Sequence, residues 1–377
     1  MTTPSSPNDN TTHKHTRPVA GVWQRLWEED PLGDADGADR TTLVLWTQAP
    51  ESGIYVDLRL PMESPGRSPD DAKNAGFTPR PSAIEATGMN FESGKVTSNL
   101  VSVLYQQKSF AGVLDYTPGD TTSGEALSKD IVLAELASKA KDGTLSLCTC
   151  FWRRDIDYQP PSGGLDIGVC ASEAPNPDGS IDLRETGDDA SYAEGWHRLP
   201  GTNKGPFLAL RLESEDGKSR SGFWVRTGSH FAYAVGRPDD RDPTLAHLLG
   251  CHDKSSQVKN LVGKSLQEAM DDSIQVATID DKLSIVGSYL VVAGKIESNG
   301  DWKILHSTSP ELVGCCLLSA TNSMDTPLCC SSTKQCSTSD SNKELKVGDF
   351  IEQTLAGSKE AVRKWKVEEI SGGDAFL

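Results

Sequence analysis

Residues 53–61 read GIYVDLRLP. Ile54, Val56, Leu58 and Leu60 alternate with Tyr55, Asp57 and Arg59. A helix cannot use a period of two, because residues two apart on it lie on different faces. The segment is therefore expected to be a strand, aliphatic on one side and carrying a phenol, a carboxylate and a guanidinium on the other. Pro61 ends it, since proline has no N–H to give to a ladder. The alternation does not say which side is interior.

Working outward, the same short alternating character recurs in TTLVLWTQ (41–48), TLSLCTCFWRRDIDY (144–158), SIDLRE (180–185), FLALRLES (207–214), SGFWVRTG (221–228), HFAYAVG (230–236), KLSIVGSYLVVAGKIES (282–298), DWKILHSTS (301–309) and RKWKVEEIS (363–371). Gly, Pro, Asn or Asp separate most of these runs, as tight connections between antiparallel strands require. In GVWQRLWEE (21–29) a strand sets Trp23, Arg25 and Trp27 on one side and Val22, Gln24, Leu26 and Glu28 on the other. In WRRDIDY (152–158) it sets Trp152, Arg154 and Ile156 against Arg153, Asp155 and Asp157. Helical spacing is confined to residues 98–107, to 126–143 with Leu127, Ile131 and Ala134 on one face, and to 255–272. Three helices cannot alternate with so many strands, which argues against a parallel βαβ sheet.

At 377 residues the chain exceeds the usual single core, so two domains are expected. A Pro/Gly-rich connection at 200–206 divides the strands into two comparable sets. Its net charge of −17 argues against nucleic acid or an anionic membrane surface as partner, because both select basic patches. No run approaches the roughly 20 apolar residues of a membrane span. Residues 1–17 are polar and read as a disordered tail without a secretory signal. Nine cysteines without regular spacing then read as free thiols in a reducing, cytoplasmic setting. Residues 319–342 form a Cys/Ser/Thr-rich stretch expected to be a long loop. The chain lacks G-x-x-x-x-G-K-[ST], a strand-to-helix G-x-G-x-x-G, H-E-x-x-H and G-x-S-x-G. Those absences remove the commonest nucleotide, metalloprotease and hydrolase readings, and no cofactor is expected.

G-x-W occurs at Gly21–Trp23, Gly222–Trp224 and Gly300–Trp302, each followed by a basic residue. In lipocalin-type barrels such a motif opens the first strand, the indole closes the base, and an arginine packs over it. The fold expected is mainly β: two lipocalin-like antiparallel β-barrels in tandem, 18–203 and 204–377, with a few helical insertions. The succession YVDLRLP (55–61), FAG (110–112), WRRDIDYQPP (152–161) and YAEGWHRLPG (192–201), closed by residues 346–371, resembles the fungal Hri family, named for interacting with a casein-kinase-type partner. It also resembles a set of uncharacterised bacterial proteins. That resemblance implies two lipocalin-like barrels in one chain with no established catalysis, and a protein partner. The helix around Ile131 and the Cys-rich stretch depart from it.

The expected ligand-binding residues are the aromatic and arginine positions on these strand faces: Trp23, Arg25, Trp46, Tyr55, Arg59, Trp152, Arg154, Tyr192 and Trp196. A buried guanidinium requires an anion, and indoles offer stacking surfaces. The bland alternative is that Trp23 plugs the barrel floor and Arg25 reaches its rim. His197 and Glu194 are the candidate catalytic pair, because a carboxylate can orient an imidazole that titrates near neutral pH. Packing or ligand recognition explains the same residues. Cys148 and Cys150 share a strand face, but two thiols do not make a metal site, and no metal is expected. The functional expectation is binding of a small, mostly apolar or aromatic ligand inside a barrel. The alternatives are a cofactor-independent isomerase, hydratase or cyclase acting there on a hydrophobic molecule, and a protein-interaction scaffold.

Overall fold

The computed structural model describes residues 19–29, 42–62, 106–119, 124–140, 146–159, 165–172, 176–215, 221–237, 268, 289–309, 312–318, 332–336, 345–354 and 362–372. The proposed tail, nearly all of the helix at 98–107 and of that at 255–272, and the Cys-rich stretch apart from 332–336 lie outside them.

The first lobe comprises β1 (Gly21–Glu29), β2 (Thr42–Gln48), β3 (Ile54–Pro61), β4 (Phe110–Pro118), β5 (Ser146–Asp157), β6 (Asp166–Ser172), β7 (Ile181–Gly187) and β8 (Ala193–Arg198). Each strand pairs antiparallel with the next, and β1 pairs with β8 to close a barrel. The second lobe comprises β9 (Phe207–Glu215), β10 (Gly222–Thr227), β11 (His230–Val235), β12 (Leu290–Ile296), β13 (Trp302–Ser307), β14 (Cys316–Leu318), β15 (Ser332–Cys336), β16 (Phe350–Thr354) and β17 (Val362–Ser371). These form a nine-stranded antiparallel sheet in which the first strand, β9, again pairs with the last, β17. The strands β14 and β15 stand at its two ends.

The alternation of β3 decides how the lobes join. Its aliphatic side faces away from the barrel: Ile54, Val56, Leu58 and Leu60 share one buried cluster with Val22, Leu43 and Leu45, and with Ala209, Phe223, Val225, Ala232, Ala234 and Val291 of the second sheet. Burying four such side chains on β3 contributes roughly 6–12 kcal/mol before entropic losses. Its polar side, Tyr55, Asp57 and Arg59, faces the barrel interior. Small residues on β11 and β12 let the second sheet approach the barrel wall closely.

Inside each lobe an indole on the second strand is the hub. Trp46 lies 5.8 Å from Trp23, 6.0 Å from Trp152 and 5.6 Å from Trp196, centroid to centroid. Trp224 lies 5.7 Å from Tyr233, 5.4 Å from Trp302 and 5.8 Å from Trp365. Trp46 with Trp224, and Trp196 with Trp365, occupy corresponding strands, so the lobes repeat one plan. The G-x-W motifs do not mark that repeat. They fall on β1, on β10 and at the turn into β13, which are not equivalent positions. The ring of Trp23 is covered by Arg198 from β8, at 5.4 Å.

The helix expected at 126–143 is two: α1 (Glu125–Lys129) and α2 (Ile131–Ala140). They break at Asp130, whose extended backbone stops the first and whose carboxylate Oδ1 accepts the Leu133 N–H at 3.0 Å to start the second. Leu133, Ala126, Val169 and Ala171 make a small core on the outside of β6. Ile131 is 74% exposed, so the buried face is not the Leu127/Ile131/Ala134 stripe expected from sequence. The break at Asp130 rotates the second helix out of phase with the first.

Candidate functional site

The barrel interior has two layers. Trp23, Trp46, Tyr55, Leu114, Cys148, Cys150, Cys170 and Leu183 belong to an apolar cluster that fills one part. Charged side chains crowd the other, and two irregularities in the ladder bring extra carboxylates there. On β1 the register against β8 shifts between Arg25 and Trp27. Trp23 and Arg25 face inward, but after this bulge Glu28 faces inward and Trp27 turns out. The expected single face of Trp23, Arg25 and Trp27 is thereby corrected. The outward indole lies under the guanidinium of Arg184, at 5.1 Å. On β5 the register against β4 shifts opposite Ala111 and Gly112. Trp152 and Arg154 face inward, whereas Ile156 joins the cluster between the lobes and Asp157 pairs with Phe110. The expected grouping of Ile156 with Trp152 and Arg154 fails for the same reason.

Three guanidiniums organise the charged layer. Arg25 Nη1 reaches Glu194 Oε1 at 2.7 Å and also bonds Glu28. Arg59 holds Asp57 at 3.1 Å and approaches Glu194 at 3.4 Å. Arg154 holds Asp157 at 3.2 Å and also bonds Asp166. Both Arg59 and Arg154 stack on Phe110, with Cζ 4.9 and 3.9 Å from the ring centroid. Tyr192 donates its hydroxyl to Glu185 at 3.1 Å. Burial raises the carboxyl of Asp57, against the pull of Arg59, and raises Asp157 to about 6. Burial, reinforced by Glu194 and Asp166, pushes Glu185 well above the usual carboxylate range. The guanidinium of Arg59 is raised, because the carboxylates of Asp57 and Glu194 outweigh its desolvation.

A cavity of about 110 Å³ opens in this layer. Around it the structure brings together Trp46, Arg59, Trp152, Arg154, Tyr192, Glu194 and Trp196 of the residues singled out from sequence. It adds Glu28, Asp57, Phe110, Asp166 and Glu185. Asp57 and Glu185 were legible as period-two neighbours of Arg59 and Leu183. Glu28 was not, because the bulge that turns it inward leaves no mark in the alternation. Trp23 and Tyr55 lie in the apolar layer, and Arg25 stands behind Glu28 and Glu194. His197 does not join them. It sits on the opposite face of β8 from Glu194, where Nδ1 lies 2.8 Å from Asp182 Oδ1. Glu194 and His197 are three residues apart on a strand, so alternation separates them, and they form no acid–base pair.

Cys148, Cys150 and Cys170 are free and buried on the inner face, with Sγ of Cys148 and Cys150 3.8 Å apart. Among the described residues no group of His, Cys, Asp and Glu is arranged to hold a metal ion. A broader, more open depression of about 480 Å³ lies where the chain passes between lobes, edged by Pro200, Thr202, Pro206, Arg226 and His230. None of the expected ligand-binding or catalytic residues lines it.

No protein-family model and no curated protein sequence matches this chain. One solved structure to which it is similar comes from yeast. That is the crystal structure of uncharacterized protein YLR301w from Saccharomyces cerevisiae, at 11% identity and a TM-score of 0.41, over 93% of this chain and 99% of that one. The likeness does not place the chain in the fungal Hri family and bears on no ligand. Among the described residues no helix is long and apolar enough to cross a membrane.

Proposed function

We propose that the first barrel is a receptor for a small, polar molecule, bound in the charged layer at the end of the apolar plug. The observation that supports this reading is the 110 Å³ cavity, walled by indoles on one side and by an ion-pair network on the other. Pockets for drug-sized or lipid ligands measure roughly 300–1,000 Å³, and an apolar cavity of about 150 Å³ holds one benzene. A space of this size with five carboxylates on its wall suits a ligand smaller and more polar than the apolar one expected from sequence. The barrel's own indoles already occupy the volume that an apolar ligand would fill. The separation of His197 from Glu194 weighs against the enzyme reading built on that pair.

Trp46, Trp152 and Trp196 form part of the wall, so occupancy is expected to change the intrinsic fluorescence. Titration of the full chain with polar molecules of six or fewer heavy atoms and with a lipophile panel tests the reading. Saturable quenching by a small polar compound, lost in Trp196→Phe, supports it. Response to lipophiles alone, or to nothing, rejects it.

A further inference from the structure

The chemistry of the cavity wall narrows the class of ligand, and this inference rests on the function proposed above. Glu28, Asp57, Asp166 and Glu194 each have a guanidinium partner, supplied by Arg25, Arg59 or Arg154. Glu185 does not. It is 4% exposed and lines the cavity, yet among the described residues its carboxylate receives one hydrogen bond, from the neutral hydroxyl of Tyr192, and no ion pair. A carboxylate taken out of water demands a counter-charge or a proton. No guanidinium is in contact with it: burial and the nearby Glu194 and Asp166 push its carboxyl up, and the more distant pull of Arg59 offsets this only in part.

A second, independent observation concerns donors. The Trp196 ring lines the same cavity and is 2% exposed, and its Nε1–H has no hydrogen-bond partner among the described residues. The Nε–H of Arg154, another wall residue, is likewise without one. Buried indole and guanidinium N–H groups ordinarily find acceptors. The wall thus presents an unpaired acceptor of charge and unpaired donors, across a space that holds about four to six heavy atoms.

We propose that this cavity binds a small primary ammonium compound that also carries an acceptor oxygen, such as a short amino alcohol, with the ammonium on Glu185 and the oxygen on Trp196 Nε1–H. A carboxylate-bearing ligand would add negative charge beside Glu185, Glu194 and Asp166. A neutral diol would satisfy the indole and leave Glu185 without a counter-charge. Ligand-efficiency limits place the affinity of a four-atom compound on the order of tens of micromolar or weaker.

The test titrates the full chain with ethanolamine, ethylene glycol and glycolate, which share size and differ in charge. It follows heat and the indole Nε1–H resonance assigned by Trp196→Phe. Ethanolamine is expected to bind, to shift that resonance, and to bind at least ten-fold more tightly than ethylene glycol, with glycolate inert. Glu185→Gln, whose fold is checked by circular dichroism and melting, is expected to weaken ethanolamine at least ten-fold without changing the weak response to ethylene glycol. Should Glu185→Gln fail to fold, the resonance shift and the ligand ranking in the native chain still decide. Binding of glycolate or the glycol in preference to ethanolamine overturns the ammonium assignment while leaving a polar-ligand receptor in place. Ethanolamine binding that Glu185→Gln leaves intact, or that leaves the Trp196 resonance unmoved, overturns the assigned site. If none of the three binds and no other small polar compound does, the receptor reading falls with it.

Discussion

Gly195 and Trp27 face each other across the β1–β8 pair, and the indole occupies the place where a side chain on residue 195 would begin. A Cβ built on Gly195 lies 2.2 Å from Trp27 Cε2. The absence of a side chain at 195 is what lets Trp27 turn outward after the bulge, and that turn carries Glu28 inward. Gly195→Ala is therefore expected to destabilise the protein by about 1–3 kcal/mol, the usual range for overpacking. Adding Trp27→Ala should recover most of that loss, and a double-mutant cycle in denaturant measures the coupling. Additive effects would show that the contact does not hold the bulge.

Glu194 is almost fully buried and shared by Arg25 and Arg59. Removing one member of a buried pair costs about 3–5 kcal/mol where the other is left unmatched, an upper limit here because Arg25 keeps Glu28 and Arg59 keeps Asp57. Glu194→Ala is expected to lower the unfolding free energy, obtained from the denaturant midpoint and slope, by up to that amount, and a change below about 1 kcal/mol would mean that water reaches the pair freely. His197→Ala removes a buried imidazole from the outer face, but its charged partner, Asp182, is partly exposed, so it should cost less than Glu194→Ala.

The barrel's stability is expected to depend on pH through Asp157. Burial raises its carboxyl to about 6, against an ordinary value of 3.8, while Arg154, Arg237 and the Gln159 N–H favour the charged form. The folded state thus holds this proton more tightly than the unfolded chain does. The stabilisation is complete below pH 3.8 and is lost as pH rises through about 6, amounting to roughly 3 kcal/mol. Asp57 and Glu185, both raised, act in the same direction. Unfolding free energies at pH 4 and pH 7 should differ less in Asp157→Asn than in the native chain. An unchanged difference would remove Asp157 as the source.

Asp130 behaves in the opposite sense. Although burial opposes its ionisation, hydrogen bonds from Arg184, Thr186 and the Leu133 N–H hold its carboxyl below the ordinary value. Its contribution is present above that value and lost as pH falls through the depressed one. Arg184 Nε lies 2.8 Å away on β7, so one carboxylate both starts α2 and ties it to the barrel. Asp130→Ala is expected to cost about 1–2 kcal/mol for the cap alone. It should also speed amide exchange in 131–140 ahead of the strands.

The cluster shared by β3 and the second sheet predicts that the lobes melt together. Leu58 is fully buried in it, and Leu58→Ala is expected to cost about 2–5 kcal/mol. Calorimetry should show a single transition for both native chain and variant. Two resolved transitions in the native chain would mean that the lobes do not stabilise one another.

The strands themselves were readable because alternation is local: each run of GIYVDLRLP type carries its own period, and glycine and proline mark its ends. From that pattern came the mainly β fold, the antiparallel sheets and the concentration of indole, guanidinium and carboxylate groups on single faces such as Tyr55, Asp57 and Arg59. The tertiary structure alone decided that β3 presents its aliphatic side to the second lobe and its polar side to the barrel lumen, because either side can be buried once a partner sheet exists. It alone placed the bulges at Arg25–Trp27 and opposite Gly112, which exchange Trp27 for Glu28 and Ile156 for Asp157 on the inner face. A bulge depends on what stands across the ladder, here the bare backbone of Gly195 and of Gly112, and those neighbours are distant in sequence. The indole-floored, carboxylate-rich cavity exists only where these non-local pairings converge.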